Sequence, residues 1–310
     1  MNSTASYISA SPELRDDLPM SARIPNYVII TPVRDEEDHL RTTIECMIQQ
    51  EIRPQEWVIV NDGSTDGTAG VIDDYASRYS WIHGVHRKNR GFRKSGGGVV
   101  EAFNEGYNAL VSRDWDYLVK FDGDLSFEPD YFKKCLDYFA REPKLGVGGG
   151  VIWNLVEGER QKEECPAFHV RGATKIYRRN CWEAIGGFWP APGWDTMDEV
   201  KANMLGWNSR TFDDLCLTHH RVTGAADGLW KNLVKNGRAN YICGYHPLFM
   251  LGKCAKRLLQ PPFLVGSAGL FYGFITGYFK RIQQVDDRAA IAYLRRQQLN
   301  RLRGAESIWK

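Results

Sequence analysis

Two carboxylates flank a glycine at Asp122-Gly123-Asp124, immediately after the apolar run Tyr117–Phe121 (YLVKF). Like charges held that close repel each other and are costly to bury. A hard divalent cation removes the conflict. Mg²⁺ or Mn²⁺ prefers oxygen ligands, keeps several waters and is commonly completed by phosphate oxygens. A solvated turn is the plain alternative, because turns favour Asp and Gly. Two further polar segments follow apolar runs in the same way: Pro32–Glu36 after Tyr27–Thr31, and Asn61–Thr68 (NDGSTDGT) after Trp57–Val60. The stretch His86–Gly98 is basic and glycine-rich, with Arg87, Lys88, Arg90, Arg93 and Lys94. It suits a lid or a segment facing a diphosphate, where glycines allow close backbone approach. A solvated basic face is the alternative.

The elements that must position these groups are legible in the hydrophobic pattern. The runs at Tyr27–Thr31, Trp57–Val60, Trp81–Val85 and Tyr117–Phe121 are short, apolar and rich in β-branched or aromatic residues, as buried parallel strands are. Helical patterns alternate with them. Leu40–Gln50 carries Leu40, Ile44, Met47 and Ile48 on one face, and helices are expected around Ala69–Tyr79 and Val99–Leu110. This spacing predicts an α/β fold, an open, mostly parallel sheet flanked by helices. Such sheets bind ligands at the carboxyl ends of their strands, where all three polar segments fall. From about 145 to 225 the pattern is less regular, and the acceptor side of a cleft is expected there. The part from about Gly224 reads as helical and basic.

These segments, in this order, resemble the family 2 glycosyltransferases of the GT-A fold. The matching residues are Thr31–Glu37 (TPVRDEE), Val58–Thr68 (VIVNDGSTDGT) and Asp122-Gly123-Asp124, and the resemblance covers about residues 26–220. It implies a nucleotide-sugar donor. Pro32, Arg34 and Glu36 would line its nucleoside pocket and Asp62 would hydrogen-bond the base. Arg93 and Gly123 would join the donor site, Asp122 would lie near the ribose, and Asp124 would hold the metal. A later histidine often completes the metal site in such enzymes; His220 is the first choice here and His219 the second. The family's catalytic base is an aspartate at the start of a helix that ends in a Gly-aromatic step. Counting back from Gly206-Trp207, Asp195 takes that place, with Asp198 as second choice. Trp194 stands where the family's preceding acid would be. Asp195 could equally serve as a helix cap or first-turn acid.

The resemblance implies three divisions: an arm at 1–25, a GT-A domain at 26–223 with nucleotide-sugar (26–125) and acceptor (126–223) halves, and a helical extension at 224–310. The implied reaction is an inverting transfer of a sugar from a nucleotide diphosphate to an acceptor hydroxyl, on a glycan or lipid-linked glycan. The competing readings are a sugar nucleotidyltransferase and a binding protein without turnover. The position after the first strand reads TPVRDEE and lacks the glycine-rich phosphate loop of the former and the G-x-G-x-x-G of a dehydrogenase.

A formal net charge of only +2 disfavours a nucleic-acid partner. Seven cysteines without a CxxC pair read as free thiols of a reducing compartment, which points to the cytoplasm. The N-terminus lacks the basic start and apolar core of a secretory signal. Residues 258–279 carry no charge and are rich in glycine and aromatics. A core helix, a helix lying in a membrane interface and a spanning helix are all open for this segment. The basic stretch Tyr293–Arg303 favours a negatively charged surface, so docking on the cytoplasmic face of a membrane is expected.

Overall fold

The computed structural model describes residues 25–92, 94, 96–156, 158–221 and 228–309. Arg93 and all but the last residue of the expected N-terminal arm lie outside the described residues.

Strands β1 (Tyr27–Val33), β2 (Glu56–Asn61) and β3 (Ile82–His86) pair in parallel, and β4 (Tyr117–Phe121) joins the other side of β1, also in parallel. Helices α1 (Glu37–Ile48), α2 (Thr68–Arg78) and α3 (Gly97–Ala109) connect them. Side chains alternate across the sheet. Ile29, Trp57 and Ile59 face α1 and α2 through Leu40, Ile44 and Ile72. Val28, Ile30, Val58 and Val60 face α3 through Val100 and Phe103. Both faces of β1, β2 and β4 are covered, which is why these strands read as nearly continuous apolar runs, whereas the edge strand β3 is largely exposed.

Beyond β4 the chain forms β5 (Leu125–Phe127), α4 (Tyr131–Arg141), β6 (Leu145–Val156), β7 (Glu159–Lys162), β8 (Thr174–Arg178), α5 (Arg179–Ile185), α6 (Trp194–Met204) and β9 (Asn208–His219). The strand order is β3-β2-β1-β4-β8-β6-β9-β5, with β7 on β6. β8 runs antiparallel to β4 and β6, β6 and β9 are parallel, and β5 is antiparallel to β9. The sheet is therefore mixed, with its parallel part where the βαβ spacing predicts it. The stretch that reads as irregular contains β6 and β9, each of 12 residues. The glycines of β6 hide it, because glycine is a poor strand former. They are needed for space: a Cβ at Gly148 would lie 2.5 Å from the Phe212 ring, and one at Gly150 2.9 Å from the Tyr131 ring.

Helices α7 (Leu229–Ile242), α8 (Pro247–Leu258), α9 (Phe263–Phe279) and α10 (Arg288–Leu302) complete the fold. They share a hydrophobic core with α6, where Met197 and Val200 pack with Leu233, Tyr241, Met250, Phe274 and Leu294. Lys201 of α6 pairs with Asp287 at 3.2 Å, and Asp287 caps α10 by accepting from the Ala290 N–H at 2.9 Å. Residues 258–279 become the end of α8, a short link and the 17-residue α9. No helix among the described residues is long and apolar enough to cross a membrane. All seven cysteines are free.

Helices α7 and α9 approach backbone to backbone. A Cβ on Gly237 would lie 2.0 Å from the Leu270 carbonyl oxygen, and one on Gly273 2.1 Å from that of Val234. Gly237→Ala must push the helices apart and is expected to cost about 1–3 kcal/mol. Gly70→Ala, at an exposed position in α2 with nothing within 4 Å of the added carbon, is expected to gain up to about 1 kcal/mol. Thermal melts of the two variants beside the parent check the opposite signs.

Candidate active site

The tips of β2 and β4 meet across the tip of β1. The Asp62 N–H donates to the Val33 carbonyl at 2.8 Å, and a Cβ on Gly123 would lie 2.5 Å from the Val33 side chain. Asp62 and the Asp122–Asp124 turn therefore share one hollow at the carboxyl edge of the sheet. The hollow lies where the chain turns from one side of β1 to the other, the crevice in which open α/β sheets bind ligands. Much of the surrounding polarity braces the loops. Ser64 Oγ accepts from the Asp35 N–H at 2.9 Å, Thr68 Oγ1 from the Glu36 N–H at 2.9 Å, and Asp35 Oδ1 from the Thr65 N–H at 2.8 Å. Glu37 Oε2 accepts from the Gly67 N–H at 2.8 Å. Asp35 adopts a left-handed φ of 54°, which costs a non-glycine residue backbone strain.

Asp122, Asp124 and His219 each offer a ligand atom within 4.8 Å of the others'. Pairing of β5 with β9 sets Leu125 against His219, which brings the histidine to the Asp124 carboxylate, Nε2 to Oδ2 at 3.1 Å. His220 points to the opposite face of β9, where it meets Ser126 Oγ at 2.9 Å and stacks on His39. The strand's alternation separates the two: Leu215, Leu217 and His219 lie buried on one side. That period-2 signal was present in the sequence. Asp124 Oδ1 and His219 Nδ1 are buried without a hydrogen-bond partner among the described residues. Two orphaned acceptors or donors in one cluster of carboxylates and imidazole fit a divalent cation. Burial alone would lower the His219 imidazole, but its hydrogen bond to Asp124 and the charges of Asp124 and Asp122 outweigh burial and raise it. Lys120, buried within β4, pairs with Asp122.

Arginines surround the Asp62 carboxylate. Arg90 donates to both of its oxygens at 2.7 and 2.6 Å, and Arg87 to Oδ1 at 2.5 Å. The hydrogen bond to Asp62 raises the Arg90 guanidinium above its usual value. Arg34 reaches the Asp62 carbonyl at 3.2 Å and Asn89 Oδ1 at 3.2 Å, so it ties β1 to the basic loop. Pro32 sits in β1 opposite Val60. Glu36 is bridged by Arg221, which follows the His pair.

Helix α6 begins at Trp194, and Asp195 stands in its first turn. Burial alone would raise the Asp195 carboxyl; His169, Lys175 and Arg171 outweigh it and hold the group below its ordinary value. Lys175 Nζ also donates to the Asp195 carbonyl at 2.5 Å. Asp198 is fully occupied. Its Oδ1 accepts from Lys175 at 3.0 Å and the Glu199 N–H at 2.7 Å, and its Oδ2 accepts from Lys175 at 2.7 Å and from the Tyr177 hydroxyl. Burial pushes the Asp198 carboxyl up despite Lys175. Glu199 holds Lys175 at 2.9 Å, His169 at 2.7 Å and the Val170 N–H at 2.7 Å. Asp198 and Glu199 thus form a buried frame beneath Asp195.

The frame and the metal cluster are joined through two lysines. Lys120 and Lys175 are register partners across β4 and β8, and each ammonium lies 5.7 Å from the centre of the Trp194 ring. One serves Asp122 and the other Asp195 and Asp198, so Trp194 lies between the two groups of acids. Sequence reasoning missed Lys120, Lys175, Arg221, His169 and Glu199. A lysine inside a buried strand, as in YLVKF and TKIYR, was the available signal, since buried lysines require partners.

Residues 28–190 match the family model for glycosyl transferase family 2. The glycosyltransferase GlyA of Streptococcus pneumoniae is 29% identical over 156 residues, which cover 48% of this chain and 20% of that protein. The poly-beta-1,6-N-acetyl-D-glucosamine synthase of Staphylococcus epidermidis is 27% identical over 226 residues, 65% of this chain and 51% of that one. The chain thus spans about a fifth of the first relative's length and about half of the second's. The structure of the mannosyltransferase PcManGT from Pyrobaculum calidifontis in complex with GDP-Man and Mn²⁺ superposes with a TM-score of 0.55 at 17% identity, over 94% of this chain and 79% of that one. S. aureus TarS in complex with UDP-GlcNAc gives 0.52 at 13% identity, over 89% and 81%. Likeness at these identities shows a shared fold, of the GT-A kind. With the family model spanning more than half of its length and the acid-bearing strand tips gathered in one hollow, the chain belongs to glycosyl transferase family 2.

Proposed function

We propose that this protein is an inverting glycosyltransferase that moves a sugar from a nucleoside diphosphate sugar to a hydroxyl of a glycan or lipid-linked glycan, in polysaccharide or glycolipid biosynthesis. The observation that carries the reading is the Asp122–Asp124–His219 cluster, with its orphaned buried atoms, in the same hollow as Asp62. Family membership supports donor-dependent transfer over the nucleotidyltransferase alternative. The relatives' names support a place in polysaccharide synthesis.

Asp124 and His219 would hold Mg²⁺ or Mn²⁺, with Asp122 beside them. The cation, when bound, supplies positive charge to the departing nucleoside diphosphate. The chain's own residues do the rest. Pro32, Arg34 and Glu36 line the nucleoside end, and a base reaching Asp62 replaces its guanidinium contacts. Arg87 and Arg90, so released, face the diphosphate. Asp195 takes the proton from the acceptor hydroxyl. The hydroxyl oxygen forms its bond to the anomeric carbon as the bond to the diphosphate oxygen breaks on the opposite face, which inverts the configuration. Asp195 suits this role because its carboxylate is ionised at neutral pH, with its backbone fixed by Lys175. Asp198 has no oxygen to spare and acts as support.

A thermal-shift panel of UDP-, GDP- and dTDP-sugars with and without Mn²⁺ tests the donor, because selective binding stabilises the folded state. One donor is expected to raise Tm in the presence of the ion, and no response to any donor would overturn the reading. Asp124→Ala is expected to remove the Mn²⁺-dependent shift and to lower turnover about 10²–10³-fold, the scale of losing one electrostatic contact to a transition state. His219→Ala weakens the Mn²⁺ response, whereas His220→Ala leaves it close to the parent. Asp195→Asn is expected to keep donor binding but lose about 10²–10⁴-fold in transfer rate. Since His169, Lys175 and Arg171 hold the Asp195 carboxyl below its ordinary value, the acid limb it contributes to the kcat/KM profile is expected to fall below the usual carboxylate range.

A further inference from the structure

Helix α9 is built inside out for a water-soluble protein. Its small residues face inward: Gly266, Gly269, Gly273 and Gly277 are buried, and the last three pack directly on α7 through Leu233, Val234 and Tyr241. Leu270 and Phe274 are buried beside them, but most of the other bulky residues face outward. Leu264, Phe271 and Phe279 are 73%, 41% and 84% exposed, and with Ala268 and Ile275 they share one side at helical spacing. Leu248, Leu251 and Leu258 of α8, Leu259 of the link and Phe263 at the start of α9 add to the exposed apolar surface. So many exposed apolar side chains on two helices packed against each other mark an interaction site rather than ordinary scattered exposure.

The charge around it has one sign. Residues 228–285 contain eight cations, Lys231, Lys235, Arg238, Lys253, Lys256, Arg257, Lys280 and Arg281, and no Asp or Glu, although the whole chain has a net charge of only +2. Lys256 and Arg257 precede the stripe and Lys280 and Arg281 follow it, so both ends of the apolar face are basic. Between α7 and α9 lies a pocket of about 540 Å³ lined by Pro192, Trp230, Lys231, Lys235, Arg238 and Tyr272. The Nε of Arg238 is buried and has no hydrogen-bond partner among the described residues. The Trp230 and Tyr272 rings lie 6.1 Å apart at its wall. Pro192 is three residues before Asp195.

We infer that the outer face of α9, with the edge of α8, docks on an anionic lipid bilayer and that the pocket beside it takes a lipid phosphate. The stripe enters the acyl boundary, the flanking lysines and arginines reach back to the headgroups, and Trp230 and Tyr272 lie at the polar boundary. A protein partner would call for hydrogen bonding or acidic complement on this face, and the stripe offers only hydrocarbon and cations. The geometry also gives the docking a use, which rests on the transferase reading: the phosphate pocket shares Pro192 with the turn that leads to Asp195, so a lipid-borne acceptor would present its hydroxyl beside the base.

Vesicle flotation of the full chain tests this. Phosphatidylcholine vesicles are compared with vesicles holding about 30% phosphatidylglycerol, at low and high salt. The expected result is flotation with the anionic vesicles only, falling at least about tenfold in high salt. Phe271→Ser with Phe279→Ser, and separately Lys256→Glu with Lys280→Glu, should each abolish flotation. These positions are exposed, and an unchanged donor-plus-Mn²⁺ thermal shift shows that the variants fold. Equal flotation with neutral vesicles, retained flotation of both double variants, or no flotation overturns the docking. So does a dimer dispersed by Phe271→Ser, which would make a second copy the occupant. Failure of flotation with the donor shift intact sinks this inference alone; loss of the donor response sinks the transferase reading instead.

Discussion

A sheet edge that gathers carboxylates away from water must supply them with cations, and this requirement organises the whole site. Asp62 has Arg87 and Arg90, Glu36 has Arg221, Asp122 has Lys120, Asp124 has His219, and Asp198 and Glu199 share Lys175. Removing one member of such a pair leaves a buried charge uncompensated, at about 3–5 kcal/mol. The pairs add little net stability over apolar packing, but they fix where each acid stands.

The two sides of the hollow are rigid for different reasons. On the nucleotide side the loops after β1 and β2 are laced together by Asp35, Glu37, Ser64, Thr65 and Thr68. Those residues of NDGSTDGT brace the loops, whereas the Asp62 carboxylate is held by Arg87 and Arg90 of the basic loop. Around Asp195, rigidity comes from beneath. Asp195 has its carbonyl held by Lys175, whose ammonium is fixed by Asp198 and Glu199 on the next turn of the same helix. The C-terminal helices then pack on the opposite face of α6. The helices from 228 onward therefore pack on the same helix that carries Asp195.

The sequence by itself determined the parallel half of the fold and the chemistry of its strand ends. Apolar runs, helical periodicity and polar tips are local properties, and β1, β2, β4 and helices α1 to α3 appear within a few residues of where those properties place them. The pairing of β5 with β9, the insertion of β8 between β4 and β6, and the glycine-rich β6 were decided only by tertiary structure. Each depends on partners distant in the chain, and glycine carries no strand signal of its own. That is why His219 rather than His220 meets Asp124, why Asp198 is spent on Lys175, and why the apolar segment near the C-terminus turns its glycines inward. Residue types announced which charges would gather; strand register and helix packing chose which atoms meet, because a one-residue step along a strand reverses the face a side chain occupies.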